Sequence, residues 1–173
     1  AVIDVQEKLM PVIDSHPSVV ANIERLVRGF HLLGIPALLT EQYVKGLGAT
    51  VKEVRQAFEE THGYAPLEKA CFSAAGCDAF AERLGASGRH QVVLAGVEAH
   101  VCVTQTALDL LEAKYEVYLA ADAISSRTSQ NRDIAFRRLI SEGARLVSTE
   151  MALFEVLGVS GTDEFKRISK LIK

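Results

Sequence analysis

Residues 91–114 read QVVLAGVEAHVCVTQTALDLLEAK, an apolar run that a glycine-containing turn joins to a segment of helical period. The run 91–95 has no polar alternation, which is typical of a strand buried on both faces. Apolar residues of 102–114 recur at three- and four-residue spacing, which predicts an amphipathic helix. A strand followed by a tight turn and a helix is part of a βαβ unit, so this stretch predicts a parallel sheet.

The same alternation extends over the rest of the chain. Strands are predicted at 1–5, 35–40, 91–95, 116–121 and 144–148, with a weaker candidate at 65–69. Helices are predicted at 19–33, 50–60, 76–85, 102–114 and 131–142, and two amphipathic pieces lie within 149–173. No repeat or break in composition divides the chain. We therefore predict a single α/β domain over 1–173, with a three-layer α/β/α, Rossmann-like parallel six-stranded sheet of order 3-2-1-4-5-6.

Composition excludes several classes of protein. The 173 residues are 49% hydrophobic and 24% charged and carry a net charge of −3, with no basic stripe, so we expect no nucleic-acid partner. Charged residues interrupt every apolar run, so we expect no membrane helix. The cysteines at 71, 77 and 102 cannot all pair, which favours a reducing, cytoplasmic location. Because the chain opens within a strand-like run and without a methionine, we expect residues to precede Ala1.

Reactive side chains follow three of the predicted strands. In a parallel sheet, ligands bind at the carboxyl ends of the strands, where Asp4, Lys69 and Cys102 fall. Cys102 opens the predicted helix, where free amides favour a thiolate and lower the pKa of the thiol. Each residue also has a plain reading: a buried apolar cysteine, a capping aspartate and a solvated surface lysine. The sequence alone leaves both readings open.

Three motifs, in order along the chain, resemble the isochorismatase-like cysteine hydrolase family: Ile3-Asp4-Val5-Gln6, Lys69-Ala70-Cys71-Phe72-Ser73 and Gly96-Val97-Glu98-Ala99-His100-Val101-Cys102-Val103. The resemblance covers nearly the whole chain and looks most like the isochorismatase-domain-containing branch. Further motifs of that branch match Thr40 to Tyr43, Gly46 to Gly48 and Asp122 to Arg127.

The resemblance implies a catalytic triad of Asp4, Lys69 and Cys102. It also implies an oxyanion hole from the backbone N–H groups of Glu98 and Cys102, with a cis peptide bond between Val97 and Glu98. The implied activity is hydrolysis of a small amide-like substrate through a thioester, in which Asp4 acts as the base. A homo-oligomer is expected on the same ground.

Further residues are candidates for a substrate pocket. We expect Gln6 to orient Asp4 by hydrogen bonding, Tyr43 and Phe72 to form pocket walls, and His100 to pack or line the rim. Asp122 is expected to anchor the turn formed by residues 125–127.

The pattern of histidines argues against a metal site. Nicotinamidases of the family hold a metal with an aspartate and two histidines in the loop after the second strand, but here that loop contains no histidine. The five histidines, at 16, 31, 62, 90 and 100, show no metal-ligand spacing, so we expect no metal and no other cofactor. Nicotinamide is accordingly a poor substrate candidate.

Two other functions compete with the hydrolase. The chain could keep the fold as a catalytically silent interaction or oligomerisation module. It could also use Cys102 as a redox-sensing thiol, although no resolving cysteine lies near it in sequence.

Overall fold

A six-stranded parallel sheet of order β3-β2-β1-β4-β5-β6 forms the centre of the molecule. The computed structural model describes residues 1–173. The strands are β1 (Val2–Ile3), β2 (Leu39–Gln42), β3 (Leu67–Lys69), β4 (Gln91–Gly96), β5 (Glu116–Ile124) and β6 (Arg145–Val147). The predicted fold class and strand order are confirmed.

Eight helices cover the two faces of the sheet. They are α1 (His16–Leu32), α2 (Val44–Leu47), α3 (Lys52–Glu59), α4 (Asp78–Ala86), α5 (Thr104–Glu112), α6 (Ser129–Ser141), α7 (Thr149–Leu157) and α8 (Asp163–Leu171). One apolar cluster packs α1, α3, α7 and α8 on one face of the sheet, and a second packs α4, α5 and α6 on the other. No helix is both long enough and apolar enough to cross a membrane.

The first two strands differ in extent from their predicted ranges. β1 ends at Ile3 because the next residue, Asp4, has a left-handed φ of 52° that no strand continues. β2 lies four residues later than predicted at its start, since it pairs with β1 from Leu39 onward and with β3 up to Gln42. The polar end of β2 is therefore part of the sheet, next to the ends of β1 and β3.

A glycine allows β1 and β4 to approach each other. Gly96 pairs with Ile3 and has a φ of 114°. A Cβ at Gly96 would lie 2.1 Å from the carbonyl oxygen of Ile3, so any side chain there would push the two strands apart. The segment after Gly96 consequently lies directly beside Asp4.

A cavity of about 770 Å³ lies at the opposite end of the sheet from Asp4. The amino ends of β1 and β4 line it, together with apolar side chains of α1 such as Leu26 and Phe30. In parallel sheets ligands bind at the carboxyl ends of strands. The candidate site therefore lies at the carboxyl ends of the strands and not in this cavity.

Candidate active site

The carboxyl ends of β1 and β3 bring two opposite charges together. The Nζ atom of Lys69, the last residue of β3, lies 2.7 Å from Oδ2 of Asp4, directly after β1. Both side chains are 0% exposed. Burial of either charge alone would cost several kcal/mol, so each ion requires the other.

One carboxylate oxygen of Asp4 accepts a hydrogen bond from the protein, and the other accepts none. Oδ1 accepts a hydrogen bond from the Thr40 hydroxyl at 2.7 Å. Oδ2 is in ion-pair contact with Lys69, but the angles of that contact fall outside those of a hydrogen bond, and no other group donates to Oδ2. A lone pair on Oδ2 is therefore available for a proton. The left-handed φ of Asp4 is a strained backbone conformation, of the kind that concentrates at functional sites.

The Lys69 ammonium is fixed by three oxygen acceptors. It donates to Oε1 of Gln42 at 2.6 Å and to the carbonyl oxygens of Cys71 and Phe72 at 3.2 and 2.9 Å. Three donors thus meet three acceptors, which leaves the positive charge in one position beside Asp4.

Cys102 is the third reactive side chain beside the Asp4–Lys69 ion pair. The residue is 7% exposed and lies in the apolar cluster that contains α5. The charges of Asp4 and Lys69 both act on its thiol, with opposite effects on the pKa. The three residues that the sequence separates by dozens of positions therefore meet in one place.

The backbone before Cys102 differs from the predicted helix start. Cys102 lies inside a π-helical turn, Ala99–Val103, and α5 begins only at Thr104. The peptide bond between Val97 and Glu98 is cis. The backbone N–H of Glu98 donates to no acceptor in the protein, so one amide of the segment 96–103, called the elbow below, is free for a ligand.

The expectation of a lowered thiol pKa is wrong. Burial, followed by the charge of Asp4, raises the pKa of Cys102 to about 12, and the charge of Lys69 offsets only part of this. Loss of solvation therefore outweighs the helix-end effect on which the prediction relied. The resting group is a neutral thiol, and a base must take its proton before the sulfur can attack.

This pKa predicts how Cys102 reacts with alkylating reagents. At pH 7.5 iodoacetamide should label the exposed Cys71 first, because very little of the Cys102 thiol is ionised. Below its pKa the thiolate fraction of Cys102 rises about tenfold per pH unit, and its labelling rate should rise in proportion from pH 7 to 10. Peptide mass spectrometry measures both rates. Fast labelling of Cys102 at pH 7.5 would contradict the raised pKa.

A salt bridge fixes the elbow from outside. Glu98 accepts hydrogen bonds from Nη2 of Arg127 at 2.7 Å, and from Nε and the backbone N–H of Arg127 at 3.0 Å each. The adjacent residues are also joined, since the amide of Ala99 donates to the carbonyl of Ser125 at 2.8 Å. Arg127 and Glu98 thereby hold the free amide of Glu98 in a fixed direction.

Replacing Arg127 with glutamine should therefore lower kcat by about tenfold with a small change in KM, because a misdirected amide stabilises the transition state less. The side chain of Arg127 is 58% exposed, so the fold should persist. Arg145, also 58% exposed and paired with Glu116, is a matched control. Steady-state kinetics of both variants give the comparison, and equal effects would remove the positioning role of Arg127.

Two predicted roles are wrong. Gln6 does not orient Asp4: its amide bonds the backbone of Gln42 at 2.7 and 3.0 Å and of Gly48 at 2.6 Å. Gln6 is fully buried, so it fastens the loop after β2 and exposes no polar group to a pocket. Asp122 does not anchor the 125–127 turn, because its Oδ1 accepts from the amide and hydroxyl of Thr149 at the start of α7.

The other pocket candidates lie around the buried ion pair. Tyr43 is 64% and Phe72 is 52% exposed. The amide of Tyr43 donates to the carbonyl of Lys69 at 3.1 Å, and the carbonyl of Phe72 accepts from the Lys69 ammonium. Nδ1 of His100 lies 3.0 Å from the Ser126 hydroxyl, so this nitrogen contacts Ser126 and is not paired with the Cys102 thiol.

Comparisons with known proteins show the family of the chain. A family model described as isochorismatase domain matches residues 1–151. A secreted isochorismatase effector, Isc1, of Phytophthora sojae is 39% identical over 99% of this chain and 82% of its own. Isochorismatase domain-containing protein 1 of Salmo salar is 38% identical over 98% of this chain, which spans 59% of that relative. The chain belongs to the isochorismatase family.

Solved structures of this family superpose closely on the chain. A structure described as the MAR1 ribonuclease of Caenorhabditis elegans has a TM-score of 0.92 at 36% identity, over 99% of this chain and 86% of that one. The nicotinamidase PncA of Bacillus subtilis shares the fold, with a TM-score of 0.75 at 16% identity over 85% of this chain and 97% of that one. The hydrolase fold of the isochorismatase family is therefore present here.

Sequence reasoning missed three residues that build this isochorismatase-family site. Thr40 and Gln42 lie two apart on β2, so both point to the same face, where they hold Asp4 and Lys69 respectively. That alternation in the motif Thr40 to Tyr43 was the available signal. Arg127 lies in the motif Asp122 to Arg127, but that motif does not indicate its pairing with Glu98, which is 29 residues away. No group of three His, Cys, Asp or Glu side chains is arranged to hold a metal ion.

Proposed function

We propose that this chain is a cysteine-dependent hydrolase that cleaves a small amide-like C–N bond, with Asp4, Lys69 and Cys102 as its catalytic triad. The observation that carries the proposal is the buried Asp4–Lys69 ion pair at 2.7 Å, next to the thiol of Cys102. A buried ion pair beside a thiol of perturbed pKa, at the carboxyl ends of parallel strands, is typical of active sites.

In the first half-reaction Oδ2 of Asp4 takes the proton of the Cys102 thiol, and the sulfur attacks the substrate carbonyl. This oxygen has no hydrogen-bond donor in the protein, so it is free to accept that proton. The backbone N–H groups of Glu98 and Cys102 stabilise the oxyanion that forms, and the positive charge of Lys69 assists them. Asp4 returns the proton to the departing amine, and a thioester on Cys102 remains.

In the second half-reaction Asp4 accepts a proton from water, whose oxygen attacks the thioester carbonyl. The carbon–sulfur bond then breaks. The sulfur leaves with the bonding electron pair and takes the proton from Asp4. The products are a carboxylic acid and the free thiol. A raised thiol pKa suits this cycle, because the resting nucleophile remains neutral until substrate is bound.

A substrate panel read by mass spectrometry tests the proposal. The panel contains primary amides, N-carbamoyl compounds and vinyl ethers, and the expected result is an acyl adduct on Cys102 with at least one amide-type compound. RNA is included because the Caenorhabditis elegans protein is described as a ribonuclease. Cleavage of RNA or of vinyl ethers alone, without an adduct on Cys102, would reject the amidase mechanism.

We also propose that the protein acts in the cytoplasm as a homo-oligomer, without nucleic-acid or membrane partners. The net charge of −3 argues against a nucleic-acid partner, and the three unpaired cysteines favour a reducing compartment. A silent interaction module would give no adduct with any compound of the panel. A redox sensor would give a mixed disulfide on Cys102 after exposure to oxidised glutathione, without acyl transfer.

A further inference from the structure

Two buried side-chain polar atoms in the chain have no hydrogen-bond partner within the protein, Oδ2 of Asp4 and Oγ of Ser73. Asp4 has a role in the proposed chemistry, and Ser73 has none so far. Ser73 is only 7% exposed. A hydroxyl can donate one hydrogen bond and accept two, and burial without any partner costs stability, so this group requires an explanation.

The backbone fixes Ser73 beside the ion pair. The carbonyl of the preceding residue, Phe72, accepts from the Lys69 ammonium at 2.9 Å. The amide of the next residue, Ala74, donates to Oγ1 of Thr106 on α5 at 2.8 Å. Bond lengths then hold the Ser73 hydroxyl within about 8 Å of the Lys69 nitrogen. Ser73 is therefore tied on one side to the charge and on the other to the helix that follows Cys102.

Water has the hydrogen-bonding chemistry that these two unpaired atoms require. Buried waters in proteins are held by two to four polar groups that lack other partners. Oδ2 of Asp4 accepts a hydrogen bond, and the Ser73 hydroxyl either donates or accepts one. The other reacting groups already have partners, since the oxyanion is served by backbone amides and the leaving amine by Asp4. The attacking water of the second half-reaction is served by Asp4 alone.

We propose that Ser73 is a positioning residue that holds the hydrolytic water against Asp4 during hydrolysis of the thioester. This inference rests on the proposed function. The Ser73 hydroxyl binds the water, whose oxygen forms the new bond to the thioester carbon while its proton passes to Oδ2 of Asp4. The carbon–sulfur bond then breaks, and the proton on Asp4 passes to the sulfur. The serine neither gains nor loses a covalent bond.

Replacing Ser73 with alanine tests this role by separating the two half-reactions. Acylation, measured as the rate at which an amide substrate modifies Cys102, should stay within about twofold of the wild type. Deacylation should slow by about tenfold, which corresponds to the loss of one good hydrogen bond. The acyl adduct should therefore accumulate in the variant, as rapid-quench mass spectrometry would show.

Hydroxylamine supplies a second readout. As a stronger nucleophile it depends less on a positioned water, so the ratio of hydroxamate to acid should rise about tenfold in Ser73→Ala. A residue with a merely structural role would slow both half-reactions and leave this ratio unchanged. Ser87→Ala is the matched control, because Ser87 bonds the carbonyl of Leu84 at 2.6 Å far from the site and should change neither rate nor ratio.

A folding defect, the loss of the proposed role of Ser73 and the loss of the proposed function give different results. Alanine removes an unpartnered hydroxyl and adds no volume, so the melting temperature of Ser73→Ala should equal or exceed that of the wild type. Equal slowing of acylation and deacylation, or no change in either, would overturn the role of Ser73 while an adduct on wild-type Cys102 still supports the proposed function. If wild-type Cys102 forms no adduct with any acyl donor, the proposed function fails, and the inference fails with it.

Discussion

Replacing Cys102 with alanine should lower turnover by about 10⁴-fold and abolish the covalent adduct, because no other group at the site can form a thioester. What remains would come from the free Glu98 amide and the Lys69 charge acting on a water molecule. The fold should persist, since alanine is smaller than the buried thiol and no hydrogen bond to the protein backbone is lost. Single-turnover kinetics and intact-protein mass spectrometry measure the two effects.

Cys77→Ala is the matched control for this variant. The Cys77 thiol is partly buried, packs against the apolar cluster of α4, α5 and α6 and donates to the carbonyl of Glu68 at 3.8 Å, so its removal should leave turnover unchanged. Far-ultraviolet circular dichroism and the melting temperature establish that both variants fold. Unchanged hydrolysis in Cys102→Ala would remove the nucleophile from the mechanism, whereas an equal loss in both variants would point to a general effect of cysteine replacement.

The sheet could be predicted from the sequence because each strand–helix pair repeats the same hydrophobic pattern. Residues 91–95 and 116–121 are apolar on both faces, and helical periods follow at regular intervals. The ends of elements depend instead on pairing between distant residues. Asp4 ends β1 through a left-handed backbone angle, and the π-helical turn before α5 is joined to Ser125 by a backbone hydrogen bond from Ala99.

The meeting of Asp4 and Cys102 was also predictable, since the strand order makes β1 and β4 neighbours, whereas Lys69 reaches Asp4 from β3 across β2. The ionisation of Cys102 was not. A position near a helix start favours a thiolate, but burial and the nearby carboxylate act in the opposite direction and are stronger. Only the three-dimensional structure gives the burial of a side chain, so the sequence could not decide between these effects.

Hydrogen-bond partners were the least predictable part of the site. Gln6 was expected to serve Asp4, its near neighbour, yet its amide spans 36 residues to Gln42, and Thr40 serves Asp4 instead. Polar side chains at the crowded carboxyl ends of the strands have several acceptors within reach, and differences of about one ångström decide between them. The roles of the partners found in this way stay predictions until variants are measured.

The Asp4–Lys69 pair should show the largest effect on stability. Both side chains are fully buried, so removing either one leaves a charge in an apolar environment without its counterion. Asp4→Asn and Lys69→Met should each lower the free energy of unfolding by about 3–5 kcal/mol. Asparagine is the suitable replacement at Asp4, because it tolerates the left-handed φ of 52° better than most residues.

The double variant separates stability from catalysis. Asp4→Asn with Lys69→Met removes both buried charges, so its free energy of unfolding should return to within about 1–2 kcal/mol of the wild type. Its turnover should stay as low as that of Asp4→Asn, because the base is absent from both. Urea unfolding, with the slope checked for two-state behaviour, measures the first quantity and single-turnover kinetics the second. Recovery of turnover together with stability would mean that the ion pair serves only the fold, and the proton acceptor for Cys102 would have to lie elsewhere.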